Sequence, residues 1–204
     1  MTTATKPFWE SAYQIPTGST FGKPSTEMVA FADSLPPNST VLDLGCGEGR
    51  NALFLAERGF GVTAVDISEH GVSKLRSLAS QCGLKVRAEV GDMRSCHLDR
   101  EFDLIVLHGC LHLIERAAWQ QVLQRIKAHT AAGGHNVVAV FTDPLAPPHD
   151  LEAFCPGLFR EGELFTYYED WDVQVHRSYT VHDEHPGGIR HPHPVDKIVA
   201  RKAA

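Results

Sequence analysis

The sequence predicts an α/β fold: a doubly wound, mostly parallel β-sheet with helices on both faces. Three observations carry that prediction. Short apolar, β-branched runs alternate with segments of helical periodicity. The early runs are apolar almost throughout, as strands buried on two faces are. The first run leaves through a glycine-rich turn straight into a helix.

The elements follow in order. Residues 1–35 precede the first strand and are expected to form helices over the mouth of the sheet. Thr40–Leu44 reads as a buried strand, and Asn51–Arg58 as a helix that stops at Gly59. Gly61–Val65 is a second strand ending at Asp66. Ser68 is placed to cap the next helix, where Val72, Leu75 and Ala79 recur at helical spacing. Leu84–Val90 and Phe102–Leu107 are the third and fourth strands. Trp119, Val122, Leu123 and Ile126 fall at i, i+3, i+4 and i+7, which predicts a helix over about Ile114–His129. Gly133-Gly134 breaks the pattern, and Asn136–Phe141 is a fifth strand. Thr142–Pro156 reads as a proline-rich loop and Glu161–Glu169 as a short helix. Val173–Val181 and Val195–Arg201 read as two late strands joined by a turn-rich His/Pro/Gly segment, an antiparallel pair closing one edge.

Composition narrows the function. The chain has 204 residues, 43% hydrophobic and 22% charged, which excludes general disorder. A net charge of -6 argues against binding nucleic acid through its phosphates. Apolar stretches fall short of the about 18 residues that suggest a membrane span, so no membrane partner is expected. Five cysteines, at 46, 82, 96, 110 and 155, contain no C-x-x-C pair and read as reduced thiols rather than a disulfide framework. Met1–Pro7 is polar without an apolar core; with the free thiols, this makes a cytoplasmic location the expectation.

The chemistry sits at the strand ends. Asp43-Leu44-Gly45-Cys46-Gly47-Glu48-Gly49 leaves a strand and enters a helix. Glycines at 45, 47 and 49 let backbone turn tightly and approach a ligand. A dinucleotide fingerprint is spaced G-x-G-x-x-G. Here the spacing is D-x-G-x-G-x-G, and a carboxylate at Asp43 would repel a pyrophosphate but suits a cationic group. Asp66 closes the second strand, where an acid accepts from ribose hydroxyls. Asp92, followed by Met93, closes the third, where a carboxylate can accept from an adenine amino group. The three acids describe a trough for an ammonium-bearing tail, a ribose and an adenine, the parts of S-adenosylmethionine.

The ordered segments Asp43-Leu44-Gly45-Cys46-Gly47-Glu48-Gly49-Arg50-Asn51, Ala64-Val65-Asp66-Ile67-Ser68, Gly91-Asp92-Met93 and Phe102-Asp103-Leu104-Ile105-Val106-Leu107 resemble the class I S-adenosylmethionine-dependent methyltransferases. The resemblance covers about residues 36–141. It implies a Rossmann-like, seven-stranded sheet with an antiparallel last strand. It also implies that Gly45, Gly47 and Gly49 present backbone to the methionine part, with Asp43, Cys46 and Asn51 beside them. Asp66 and Ile67 would hold the ribose and one adenine face, and Asp92 and Met93 the adenine edge. His108 falls where the family has a backbone contact to the ammonium.

Further on, Phe159-Arg160-Glu161-Gly162-Glu163-Leu164, Tyr167-Tyr168-Glu169-Asp170-Trp171 and Ile198-Val199-Ala200-Arg201-Lys202 are similar to the tellurite-resistance, TehB-like methyltransferases. That family uses a His and two Arg near the C-terminus on an anionic acceptor. The His matches His182 and one Arg matches Arg190. The position after His182, where the second Arg is expected, is Asp183, which reverses a charge.

The resemblance implies one domain, with a helical lid (1–35), a cofactor-binding core (36–141) and an acceptor-side segment (142–204). The expected reaction is in-line methyl transfer to a small chalcogen nucleophile, tellurite, selenite or a thiol, releasing S-adenosylhomocysteine. A specialised-metabolite methyltransferase using a His base and a non-catalytic cofactor or metal binder are the alternatives. His108, His112, His182, Arg190 and Tyr13 are the candidate catalytic or acceptor residues. Phe8, Trp9, Tyr13 and Phe21 are the candidate lid. His182, His185, His191 and His193 have metal-ligand types at plausible spacing, or form a polar turn. A monomer or homodimer is expected.

Overall fold

The computed structural model describes residues 7–15, 22–147, 152–185 and 189–204. Two short helices come first, α1 (Phe8–Tyr13) and α2 (Thr26–Ala32). Ser25 caps α2, its hydroxyl accepting from the Met28 backbone N–H at 3.3 Å. Then come β1 (Thr40–Leu44), α3 (Arg50–Glu57), β2 (Gly61–Asp66), α4 (Glu69–Gln81), β3 (Val86–Val90) and β4 (Phe102–His108). A single 3-10 turn at Leu111–Leu113 leads to α5 (Arg116–Ala128) and β5 (Thr130–Phe141). The chain closes with α6 (Glu163–Thr166), β6 (Asp172–His185) and β7 (Ile189–Arg201). Ser68 caps α4 as expected, accepting from Gly71 N–H at 3.0 Å.

Among the described residues the strands form one seven-stranded sheet in the order β3-β2-β1-β4-β5-β7-β6. β1 to β5 are parallel, β7 is antiparallel to β5, and β6 is antiparallel to β7. Alternate residues supply two cores. On one face Leu42, Leu44, Ile105, Leu107, Val138 and Val140 meet Trp119, Val122, Leu123 and Ile126 of α5. On the other, Val41, Ala64, Leu104 and Val106 meet Met28, Leu55 and Leu75 of α2, α3 and α4. This explains why the central strands lack hydrophobic alternation.

Three expectations are corrected. The helix expected over Glu161–Glu169 is only four residues long, because Gly162 enters it in a left-handed conformation and turns follow it. β5 starts at Thr130 rather than Asn136; Gly133-Gly134 is absorbed by a register shift in the β4–β5 pairing. The His/Pro segment expected as a turn is mostly strand. β5 stops at Phe141 opposite Val195, yet β6 and β7 stay paired to His185 opposite Ile189. Pro192 and Pro194 are tolerated there because the β5 ladder ends at Phe141–Val195, its last bond running from Thr142 N–H to the Pro194 carbonyl at 2.9 Å, so no β5 acceptor is left waiting for the missing proline N–H groups. The hairpin therefore overhangs the carboxyl ends of the parallel strands, the end where open α/β sheets bind ligands. Among the described residues no helix is long and apolar enough to cross a membrane.

Candidate functional site

The turn after β1 is stitched to the end of β2. Gly45 and Cys46 N–H both donate to the Val65 carbonyl, at 2.8 and 3.1 Å. Gly47 N–H donates to Asp66 Oδ2 at 2.7 Å, and Ser68 N–H to Asp66 Oδ1 at 2.8 Å. Gly45 and Gly47 have φ of 78° and 55°. A Cβ at Gly45 would lie 2.6 Å from Cys110 Sγ, and one at Gly47 would lie 2.4 Å from the Tyr13 hydroxyl. Tyr13 therefore lies over the turn, its phenol pKa pushed up by burial and then by the Asp66 carboxylate. At Gly49 the side-chain space is taken by Leu75 of α4, so this residue also serves helix packing. Asn51 Oδ1 accepts from Ser25 N–H at 3.2 Å and ties α2 to α3. Cys46 is buried, its Sγ 3.6 Å from the Gly47 carbonyl.

The three acids differ sharply. Asp43 is 2% exposed, and its Oδ2 is a buried atom without a hydrogen-bond partner among the described residues. Burial pushes this carboxyl up to about 7, against the pull of the Arg50 guanidinium. Asp66 is also raised by burial, opposed by the Ser68 and Gly47 amides. Asp92 is held low by Arg94, whose Nε lies 2.9 and 2.8 Å from its two oxygens. Arg125 of α5 braces this loop through the Met93 and Arg94 carbonyls, the latter at 3.0 Å. Met93 packs against the core, whereas Ile67 is 65% exposed beside Asp66.

His108 ends β4 and its Nδ1 lies 2.9 Å from Arg50 Nη2, while its Nε2 is buried without a partner. His112 is a correction. It is 1% exposed, its Nδ1 accepts from Phe141 N–H at 3.2 Å, and its ring stacks on Phe141 at 4.1 Å. Phe141 stacks in turn on His193 at 4.5 Å. His112 is thus a core residue, and burial lowers its pKa to about 3.

His182 is exposed on the hairpin, opposite Pro192 in the register, and Asp183 pairs with His191. Phe21 and the side chains of Phe8, Asp183, His185 and Arg190 lie outside the described residues. Among the described residues no three ligand-type side chains are grouped as a metal site requires.

Sequence reasoning missed Arg50, which contacts His108 and acts on Asp43 through its charge. Its only signal was its place directly after the glycine turn. It also missed two buried ion pairs. Lys74 of α4 meets Glu48 in the turn at 2.7 Å, and Lys197 of β7 meets Glu27 of α2 at 2.6 Å. The C-terminal motifs prove architectural. Gly162 N–H donates to buried Asp196 Oδ2 at 2.7 Å, Glu163 pairs with Arg116, and the Tyr168 hydroxyl accepts from Asn136 Nδ2 at 3.0 Å.

The sequence model of the family described as tellurite resistance protein TehB matches residues 7–185. Hemagglutinin 1 of Eikenella corrodens is 34% identical over 134 residues, 65% of this chain and 44% of that protein. The probable S-adenosyl-L-methionine-dependent methyltransferase TehB of Haemophilus influenzae is 31% identical over 134 residues, 65% of this chain and 46% of that protein. The crystal structure of TehB from Haemophilus influenzae matches with a TM-score of 0.79 at 27% identity, covering 88% of this chain and 62% of that one. The chain spans about half the length of the curated relatives it matches.

Proposed function

This chain belongs to the tellurite resistance protein TehB family, and from that premise we propose that it is an S-adenosylmethionine-dependent methyltransferase acting on a small chalcogen nucleophile, such as tellurite, selenite or a thiol. The observation that carries the cofactor reading is the buried, unpartnered Asp43 Oδ2 beside the Gly45–Gly47 turn. A buried acceptor without a donor costs stability unless a ligand supplies one, and an ammonium group is the donor that a carboxylate favours most.

The other strand ends fit the rest of the cofactor. Asp66 would hold the ribose, Ile67 one adenine face, and Asp92 with Met93 the adenine edge. Asp66 and Asp92 already accept from the protein, but each carboxylate oxygen has a second lone pair to offer. Helix α1, which sets Tyr13 over the glycine turn, would be the lid, α2 being packed into the core, and the β6–β7 overhang the acceptor side. Bound there, the cofactor would supply a sulfonium-activated methyl group, leaving S-adenosylhomocysteine as product.

The acceptor reading is supported by the tellurite-resistance description of the family and by the state of the histidines. His112 is locked in the core, and the Nδ1 of His108 is taken by Arg50. A soft nucleophile with a bare lone pair needs no base, only position, which alone is worth roughly 7–11 kcal/mol. The test is S-adenosylhomocysteine release against tellurite, selenite, small thiols, phenols and imidazoles, with and without chelator. Turnover on the chalcogens, indifferent to chelator, is expected. Turnover confined to phenols or imidazoles would overturn the acceptor, and absence of turnover with tight cofactor binding would overturn the enzyme.

A further inference from the structure

We propose that His108 is a neutral hydrogen-bond donor for an anionic oxygen of the bound ligands, with Arg50 as the residue that fixes its tautomer, and that it is not a general base. This rests on the methyltransferase reading above and names what the ring at the end of β4 does in it.

The geometry gives the proton its place. A guanidinium only donates, so the contact of Arg50 Nη2 with His108 Nδ1 at 2.9 Å makes Nδ1 the acceptor. The neutral ring must then carry its proton on Nε2. That Nε2 is buried and has no partner among the described residues. A buried N–H without an acceptor is costly. In a ligand-binding trough such an atom is completed by the ligand, and next to a guanidinium the complement is an anionic oxygen.

Two ligands can offer one. The cofactor ends in a carboxylate, and the acceptor can be an oxyanion. The surroundings keep the ring neutral in either case. Burial, then Arg50 of α3 and Lys197 of β7, lower its pKa to about 3, and Glu27 of α2 opposes them. Lys197 lies in line with His108 across the sheet, through Ala139 of β5.

The consequence concerns the acceptor's chemistry. With Nδ1 occupied and Nε2 already protonated, His108 has no lone pair to take a proton. An acceptor that is anionic, or that carries a bare lone pair, gives up no proton to the enzyme when methylated. Thiolates, selenolates and chalcogen oxyanions meet that condition near neutral pH. Alcohols and phenols do not.

The test uses the whole chain labelled with 15N-histidine, read by long-range 1H–15N correlation. His108 should show a protonated Nε2 and a bare Nδ1, unchanged from pH 5 to 8. Three probes follow: S-adenosylhomocysteine, 5′-methylthioadenosine (the same nucleoside thioether without the amino-acid end), and S-adenosylhomocysteine with selenite. A shift of Nε2–H with S-adenosylhomocysteine assigns the cofactor carboxylate; a shift only on adding selenite assigns the acceptor. A ring that titrates within that range, a shift with 5′-methylthioadenosine alone, or no shift with any probe overturns the proposal. Calorimetry separates the two readings. If S-adenosylhomocysteine does not bind, the methyltransferase reading falls; if it binds and His108 is unmoved, only this inference falls.

Turnover gives an independent arm. His108→Phe should lose about tenfold to a hundredfold in kcat/KM, the worth of one hydrogen bond to a charged group. His108→Gln, a neutral donor with no basicity, should recover most of it. A Gln variant as slow as the Phe variant would identify a base and overturn the proposal.

Discussion

Two buried groups at the sheet's carboxyl edge, Asp43 after β1 and His112 beyond β4, are treated in opposite ways. At β1 and β2, Asp43 is a buried acid and Asp66 a half-buried one, both with raised pKa values, and Asp43 Oδ2 is left without a partner among the described residues. Beyond β4 and β5, His112 is buried just as deeply, but its Nδ1 is satisfied and its ring is stacked in series with Phe141 and His193. Burial is common to Asp43 and His112; satisfaction is not. The buried oxygen without a donor points to a ligand, and the satisfied, stacked ring is wall. A high count of histidines is therefore a weaker sign of function than one buried oxygen without a donor.

That contrast can be broken most forcefully at Asp66. Its carboxylate holds both the Gly47 and Ser68 amides, so Asp66→Ala should loosen the glycine turn as well as remove a ligand contact. S-adenosylhomocysteine affinity, measured by calorimetry, should fall by about tenfold to a hundredfold or more. Unchanged affinity would remove the cofactor from this half.

On the other side, His112→Phe leaves Phe141 N–H without its acceptor and should cost about 1–3 kcal/mol of stability in urea unfolding. The pH dependence sharpens this. The pKa of His112 falls from 6.5 to about 3 in the folded chain, so its contribution is complete above 6.5 and is lost as pH falls toward 3. The variant should lose less stability between pH 7 and pH 4 than the parent does. An equal loss in both would mean that the ring is not held neutral.

Asp43 carries the opposite sign. Its pKa rises from 3.8 to about 7, so the folded chain binds more protons than the unfolded chain in that window, and stability falls as pH rises through it. A cationic ligand end favours the ionised acid. Affinity for S-adenosylhomocysteine should therefore be about tenfold higher at pH 8 than at pH 6, with proton release detectable in buffers of different ionisation heat. A flat profile would detach Asp43 from the ammonium.

The smallest effect belongs to the exposed hairpin. His182→Ala should change stability by no more than about 0.5 kcal/mol. Any loss of turnover in this variant then reports the acceptor side alone, and full activity would leave the overhang as scaffold.

Much of the half around the glycine turn was legible because its signals are local. The glycine spacing, the acids at strand ends and the caps all lie within a few residues of one another, and strand-turn-helix geometry follows from them. The hairpin half was read less well. Gly and Pro there suggested a turn, but a strand paired on one side tolerates proline. Glu161-Gly162-Glu163-Leu164 carried the family resemblance, and its glycine amide and carboxylate dock α6 onto β7 and α5. His108 and His112, four residues apart, were both catalytic candidates, and the 3-10 turn between them goes with one at Arg50 and the other in the core.

The sequence by itself determined the order of the strands, the turn that opens the trough and the family, because hydrophobic period and turn chemistry are properties of neighbouring residues. Only the tertiary structure decided which ionisable groups are paired. Arg50 reaches His108 across 58 positions and Glu27 reaches Lys197 across 170. Such contacts are set by sheet register and helix docking, and those in turn decide how much water each charge loses and which nitrogen keeps its proton.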